Sequence, residues 1–311
     1  MKMTDAFLVS RLVPPAGRVS AVMDTDTYNE VDDQFALAYA LLSAERVDLK
    51  AVYAAPFLNE RSSCAADGME KSLHEIENVL KLMGRTDDIP CFEGSRSFML
   101  DPKTPVESPA AQDLVERALA QSGEDPLYVI AIGAPTNIAS ALLLEPKIAE
   151  HIVVLWLGGH ALEYENTEEF NLFQDIHASR TLLDMEVPLV LFPCEGVASR
   201  LCTTVPELRF YLEGRNQLGS YLCDIVEHYE ENAYGWSKVI WDVITVAWLV
   251  NAGWVPTALL PSPILTEQFT WSFDPRRHLI RVARFVERDA VFADLFHKIS
   301  GMTSGKGRAQ G

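Results

Sequence analysis

The chain has 311 residues, a formal net charge of −18 and 48% hydrophobic residues. That acidity argues against nucleic acid or an anionic membrane as the main partner, because phosphate binding takes clustered Lys and Arg. The apolar content excludes a disordered chain, and no apolar run reaches the roughly 20 residues that span a bilayer.

In chain order, residues 1–17 read as a loose leader. Arg11, Pro14 and Pro15 interrupt any secretory signal there. Short β-branched runs at 19–23, 49–54, 127–132, 152–157 and 188–192 read as strands. Helical patterns fall at 32–43, 66–83, 109–121, 135–144, 175–185, 216–230 and 240–251. This alternation predicts an α/β fold: a single open, mostly parallel sheet with helices on both faces. No linker or composition shift divides the chain, so one domain over 18–299 is expected. The Pro-rich stretch 255–263 is expected to lead to late antiparallel strands near 263–265 and 279–286, and 300–311 to form a flexible tail. The five cysteines, Cys64, Cys91, Cys194, Cys202 and Cys223, show neither zinc nor disulfide spacing. Reduced thiols in a cytoplasmic protein are the expectation.

The densest chemistry lies between the first strand and the first helix of that alternation. Asp24, Asp26, Glu30, Asp32 and Asp33 fall within ten residues. Like charges that close repel, and a cation or protons must offset them. A hard divalent ion such as Ca2+ or Mg2+ suits an all-carboxylate set, and the carboxyl ends of strands are where open α/β sheets bind ligands. Asp24 and Asp26, two apart at a strand end, share a face. The plainer reading is that Asp32 or Asp33 caps the helix and the others are solvated.

Four later segments also draw notice. Gly133-Ala134-Pro135-Thr136-Asn137 follows a strand, as does Leu157-Gly158-Gly159-His160, whose glycines permit close backbone approach. Glu169-Phe170-Asn171 ends an acidic loop, and Trp241-Asp242 opens an apolar helix. Each alone is ordinary: a turn, a tight turn, a solvated acidic loop, and a helix-start carboxylate beside a core Trp.

Taken in order, these segments resemble the nucleoside hydrolases, the metal-dependent N-ribohydrolases also called inosine-uridine preferring. The resemblance runs from about 18 to 286. The family's DxDxGxDD-like turn becomes Asp24-Thr25-Asp26 followed by Asp32-Asp33. Its GPLTN-like turn is Gly133-Ala134-Pro135-Thr136-Asn137, its MGG strand end Leu157-Gly158-Gly159, its EFN triplet Glu169-Phe170-Asn171 and its late aspartate Asp242. The resemblance implies a Rossmann-like core and hydrolysis of the N-glycosidic bond of a ribonucleoside to ribose and free base. It implies Ca2+ held by Asp26, Asp33, Asp242 and the main-chain carbonyl of Thr136, with Asp26 as general base to the attacking water. Asp32, Glu169 and Asn171 would contact the ribose hydroxyls, and Asn59 falls where a further substrate-pocket residue is expected. A homo-oligomer, dimer or tetramer, is expected.

Two departures stand out. Five residues, Thr27-Tyr28-Asn29-Glu30-Val31, separate the second and third aspartates where the family has three. Asn29 and Glu30 then line the pocket, contact the metal or only reshape the loop. Trp241 stands where many relatives carry a His that protonates the leaving base. A purine-preferring branch has Trp there, stacking on the base, and by that resemblance Trp241 is a catalytic candidate and purine preference is expected. Trp241 as plain packing is the competing reading. His160, His228, Tyr229 and Tyr234 are further candidates for leaving-group contact.

Two rivals remain. Asp24-Thr25-Asp26 also resembles the paired aspartates of haloacid dehalogenase-type phosphohydrolases, although that family expects Thr or Val where Tyr28 stands and leaves Asp32-Asp33 without a role. The other rival is a non-catalytic nucleoside- or ribose-binding relative.

Overall fold

The computed structural model describes residues 3–122 and 124–301. The strands in chain order are β1 (Val19–Thr25), β2 (Val47–Ala54), β3 (Cys91–Phe92), β4 (Leu127–Ala131), β5 (Ile152–Leu157), β6 (Leu189–Phe192), β7 (Cys202–Thr203), β8 (Lys238–Val239), β9 (Thr257–Pro261), β10 (Ile264–Leu265), β11 (Trp271–Ser272) and β12 (Leu279–Ala283). The helices are α1 (Asp5–Arg11), α2 (Asp33–Leu42), α3 (Ala65–Leu82), α4 (Pro109–Ala120), α5 (Thr136–Leu144), α6 (Phe170–Gln174), α7 (Ile176–Asp184), α8 (Val205–Leu212), α9 (Gln217–Glu227), α10 (Val243–Val250) and α11 (Arg288–Ser300).

The main sheet has eight strands in the order β3-β2-β1-β4-β5-β6-β12-β9. All neighbours are parallel except β9, which runs antiparallel to β12. Its central strands are apolar throughout because both faces are covered. Alternation along them feeds two cores. Met23, Ile130 and Leu155 pack on one face with Phe35 of α2, Ile76 of α3, Leu222 of α9 and Ile244 of α10. Val22, Val129 and Val154 pack on the other with Leu114 of α4, Ile138 of α5 and Leu182 of α7. The strand order reverses direction between β1 and β4, and that switch point is where such sheets open a ligand crevice at the carboxyl ends of their strands.

Every strand and helix expected from the sequence is present, with ends shifted by a few residues. Three expectations need correction. The leader is not loose: Thr4 caps α1 by accepting the Phe7 N–H, Leu8 and Leu12 are fully buried, and Arg281 of β12 donates to the Leu12 carbonyl at 2.5 Å. The Pro-rich stretch is itself strand β9; it tolerates Pro261 because an edge strand has one unpaired side. Ser300 ends helix α11, whose buried stripe is Val291, Phe292, Leu295, Phe296 and Ile299, while residues 302–311 lie outside the described residues. Among the described residues, no helix is long and apolar enough to cross a membrane.

Docking of α1 predicts that Leu8→Ala lowers unfolding free energy in urea by about 2–5 kcal/mol, the usual range for a buried leucine. A change below about 0.5 kcal/mol, typical of surface positions, would show the helix to be a detached leader after all.

Candidate active site

Asp26 is the first residue beyond β1, at the switch point. Asp32 and Asp242 occupy the N-cap positions of α2 and α10, yet neither side chain accepts a helix N–H. The capping reading therefore fails for Asp32. Instead Asp32, Asp33 and Asp242, all buried, bring one carboxylate oxygen each to within 4.8 Å of one another. Thr25 Oγ1 donates to Asp33. Asp26 is 1% exposed, and neither of its carboxylate oxygens has a hydrogen-bond partner among the described residues. The set that converges is thus Asp32, Asp33 and Asp242, where the resemblance implied Asp26, Asp33 and Asp242.

Burial, and then repulsion from neighbouring carboxylates, pushes Asp26, Asp33 and Asp242 well above the usual carboxylate range. The neighbours are Asp33, Asp32 and Glu169 for Asp26, Asp32 and Glu30 for Asp33, and Asp32, Asp33 and Asp26 for Asp242. A divalent cation offsets such a cluster as protons do. The donors fit one: all are oxygen, hard, and in part without partners, which suits Ca2+ or Mg2+ rather than a soft metal. Cys194 also lines the pocket, but burial and then Glu169 raise its thiol well above its ordinary value, so it stays protonated.

These aspartates line a pocket of about 220 Å3 together with Glu169, Asn171, Trp241 and His160. Glu169 caps α6: its Oε2 accepts the N–H groups of Gly159 and Leu172 at 2.9 and 3.1 Å, and its Oε1 accepts that of Asn171 at 3.0 Å. Burial raises it to about 7 against those hydrogen bonds. Asn171 donates from Nδ2 to the carbonyls of Ile132 and Leu157, at 3.3 and 3.2 Å, which bridges the ends of β4 and β5; its Oδ1 has no partner among the described residues. Asp24 stands behind the pocket; burial lifts it to about 7, while the Asn137 side chain donates to it at 2.7 Å. A Cβ on Gly133 would lie 3.0 Å from Ala55 Cβ and 3.2 Å from Asp26 Cγ, so a side chain there would crowd the Asp26 carboxylate.

Five sequence candidates, Asn59, Thr136, His228, Tyr229 and Tyr234, are not in the pocket lining. Asn59 donates from Nδ2 to Asn29 Oδ1 at 2.7 Å, and Asn29 lines the pocket in its place. Thr136 opens α5 and donates from Oγ1 to Asp175 at 2.8 Å. His228 and Tyr229 line a second pocket of about 610 Å3, on the Tyr28 and Val31 side of the same turn, and Tyr234 is 97% exposed.

Sequence reasoning missed Lys238. It lies in β8, is 5% exposed, pairs with Glu30 and reaches Asp32 Oδ1 at 3.8 Å. Burial alone would lower its pKa, but Asp32 and Glu30 outweigh burial and hold it above its ordinary value. The Trp241 N–H donates to Asp32 Oδ2 at 3.1 Å. A two-residue strand carries no periodicity, so nothing local marked Lys238. Cys194, by contrast, follows β6 at a strand's carboxyl end, and that position was a usable signal.

The family model for inosine-uridine preferring nucleoside hydrolases matches residues 21–293. The chain belongs to that family. It is accordingly an enzyme, a ribonucleoside N-ribohydrolase, and the phosphohydrolase alternative is displaced. Among curated relatives, the pyrimidine-specific ribonucleoside hydrolase RihA of Citrobacter koseri is 25% identical over 249 residues, 71% of this chain and 76% of that one. Its counterpart in Escherichia coli O81 is 24% identical over the same shares. Among solved structures, a plant nucleoside hydrolase, PpNRh1, superposes with a TM-score of 0.72 at 19% identity, covering 91% of this chain and 99% of that one. The purine-preferring ribonucleoside hydrolase of Gardnerella vaginalis gives 0.69 at 20% identity, covering 91% and 98%. At such identities the structural likeness speaks to the fold.

In this hydrolase, Lys238→Met leaves the buried Asp32 and the partly exposed Glu30 without their cation. Unfolding in urea is expected to show a loss of about 3–5 kcal/mol, as for other broken buried pairs. A variant within about 0.5 kcal/mol of the parent would show that Lys238 does not compensate the cluster.

Proposed function

We propose that the hydrolase cleaves the N-glycosidic bond of ribonucleosides with Asp26 as general base beside a bound Ca2+, and that it prefers purine nucleosides. One observation carries the mechanism: Asp32, Asp33 and Asp242 converge in the pocket that also holds the unpartnered Asp26 carboxylate. Asp33 and Asp242 would hold the cation, with Asp32 converging on the same point. The family resemblance adds Asp26 and the main-chain carbonyl of Thr136. When bound, such an ion lowers the pKa of a water and fixes substrate hydroxyls.

The chain's own residues account for the other requirements. Asp26 has both oxygens free to take the water's proton. Breaking the glycosidic bond builds positive charge on the ribose, and the surrounding carboxylates stabilise it electrostatically. Glu169, and Asn171 through the Oδ1 it leaves unused, are proposed to hold ribose hydroxyls. Trp241, half-buried in the pocket lining, has no proton to give a leaving base and is proposed to activate it by stacking. The purine preference rests on that residue. The C. koseri relative carries a pyrimidine-specific name, which defines the opposite outcome.

The test is base release from inosine, guanosine, adenosine, uridine and cytidine, with and without chelator. Release from the purine nucleosides should exceed release from the pyrimidine ones and should fall with chelator. Pyrimidine selectivity would overturn the preference, and ribose binding without release would make the protein a non-catalytic relative. Asp26→Asn should lower kcat by about 10²–10⁴-fold, the usual share of a general base. Asp242→Ala should lose turnover and bound cation together. Near-normal turnover in both would remove the mechanism. Trp241→Phe should keep more activity than Trp241→Ala if stacking operates, and equal losses would count against it.

A further inference from the structure

The lengthened turn between Asp26 and Asp32 is built rather than slack. The Asn29 N–H donates to the Asp26 carbonyl at 2.7 Å, and Gln34 Nε2 donates to the Thr27 carbonyl at 2.8 Å. The Arg61 guanidinium lies 4.4 Å over the Tyr28 ring and donates to the Glu30 carbonyl at 2.9 Å. The turn therefore holds Asn29, 9% exposed, in the pocket lining beside the carboxylates.

Which way the Asn29 amide faces follows from its neighbours. The Arg61 backbone N–H can only donate, and it donates to Asn59 Oδ1 at 2.8 Å. Asn59 must then present its NH2 group to Asn29, whose Oδ1 accepts at 2.7 Å and whose main-chain carbonyl accepts at 3.3 Å. With its oxygen taken, Asn29 keeps Nδ2 as a donor, and that atom has no partner among the described residues. The adjoining aspartates, when ionised, only accept. A ribose hydroxyl that donates to a carboxylate still has oxygen lone pairs to satisfy, and a neutral N–H donor meets that need.

We propose that Asn29 donates from Nδ2 to a hydroxyl of the substrate ribose, and that Asn59 is a positioning residue that acts through it. The two-residue lengthening of the turn delivers this donor. The proposal rests on the nucleoside reading of the pocket.

The experiment compares a ribonucleoside with its 2′-, 3′- and 5′-deoxy analogues as substrates of the full chain with Ca2+ present. Where an analogue turns over too slowly, its inhibition constant against the ribonucleoside replaces the rate. Asn29→Ala should lower kcat/KM for the ribonucleoside about 10- to 100-fold, the loss expected when one buried hydrogen bond is removed. That loss should vanish for the single analogue lacking the recognised hydroxyl. Asn59→Ala should show the same selectivity at a smaller size, and the double variant should be no worse than Asn29→Ala. Ca2+ affinity should be unchanged in both. A loss shared equally by all the analogues, or no loss, overturns the role of Asn29 while the parent enzyme still turns over. Failure of the parent to release base from any ribonucleoside overturns the nucleoside reading and this proposal with it.

Discussion

Burying several carboxylates at one strand end is the constraint on which the rest of the site depends. Two unit charges 4 Å apart interact by about 4 kcal/mol at an effective dielectric near 20, and Asp26, Asp32, Asp33 and Asp242 are each at most 3% exposed. The fold answers that repulsion piecemeal. Thr25 donates to Asp33, the Trp241 N–H donates to Asp32, Lys238 stands between Glu30 and Asp32, and the N-termini of α2 and α10 point partial positive charge at the cluster. These donors leave both Asp26 oxygens without a partner among the described residues.

The sheet explains why the carboxylates meet. Reversal of strand order between β1 and β4 opens the crevice, and the next turns along the sheet supply its walls. Asn171 ties the ends of β4 and β5 together through their carbonyls, and Glu169 is fixed by three backbone N–H groups. Both therefore hold the pocket wall together. The solvated-loop reading of Glu169 fails, because its oxygens sit at a helix N-terminus that is also the pocket wall.

Much of this was legible in the sequence because its signals are local. The apolar runs of β1, β4 and β5 and the stripes of α3 and α9 carry their own periodicity, and Asp26, Asp33 and Asp242 stand at strand or helix ends. What escaped was long-range or short. Lys238 sits in a two-residue strand and gains its meaning only from Glu30, more than two hundred residues earlier. Asn59 looked like a pocket residue by its place after β2, yet it reaches the pocket only through Asn29. Helix α1 was missed for a different reason: Leu8 and Leu12 repeat at helical spacing, but only contact with β12 shows what they cover. The odd length of the aspartate turn, unexplained as sequence, becomes the means by which Asn29 and Glu30 reach the site.

Cation binding tests the central claim most directly. Isothermal titration of Ca2+ into chelator-stripped protein should show saturable binding of one ion per chain. Absence of binding at millimolar Ca2+, with ribonucleoside hydrolysis intact in the same stripped sample, would contradict it.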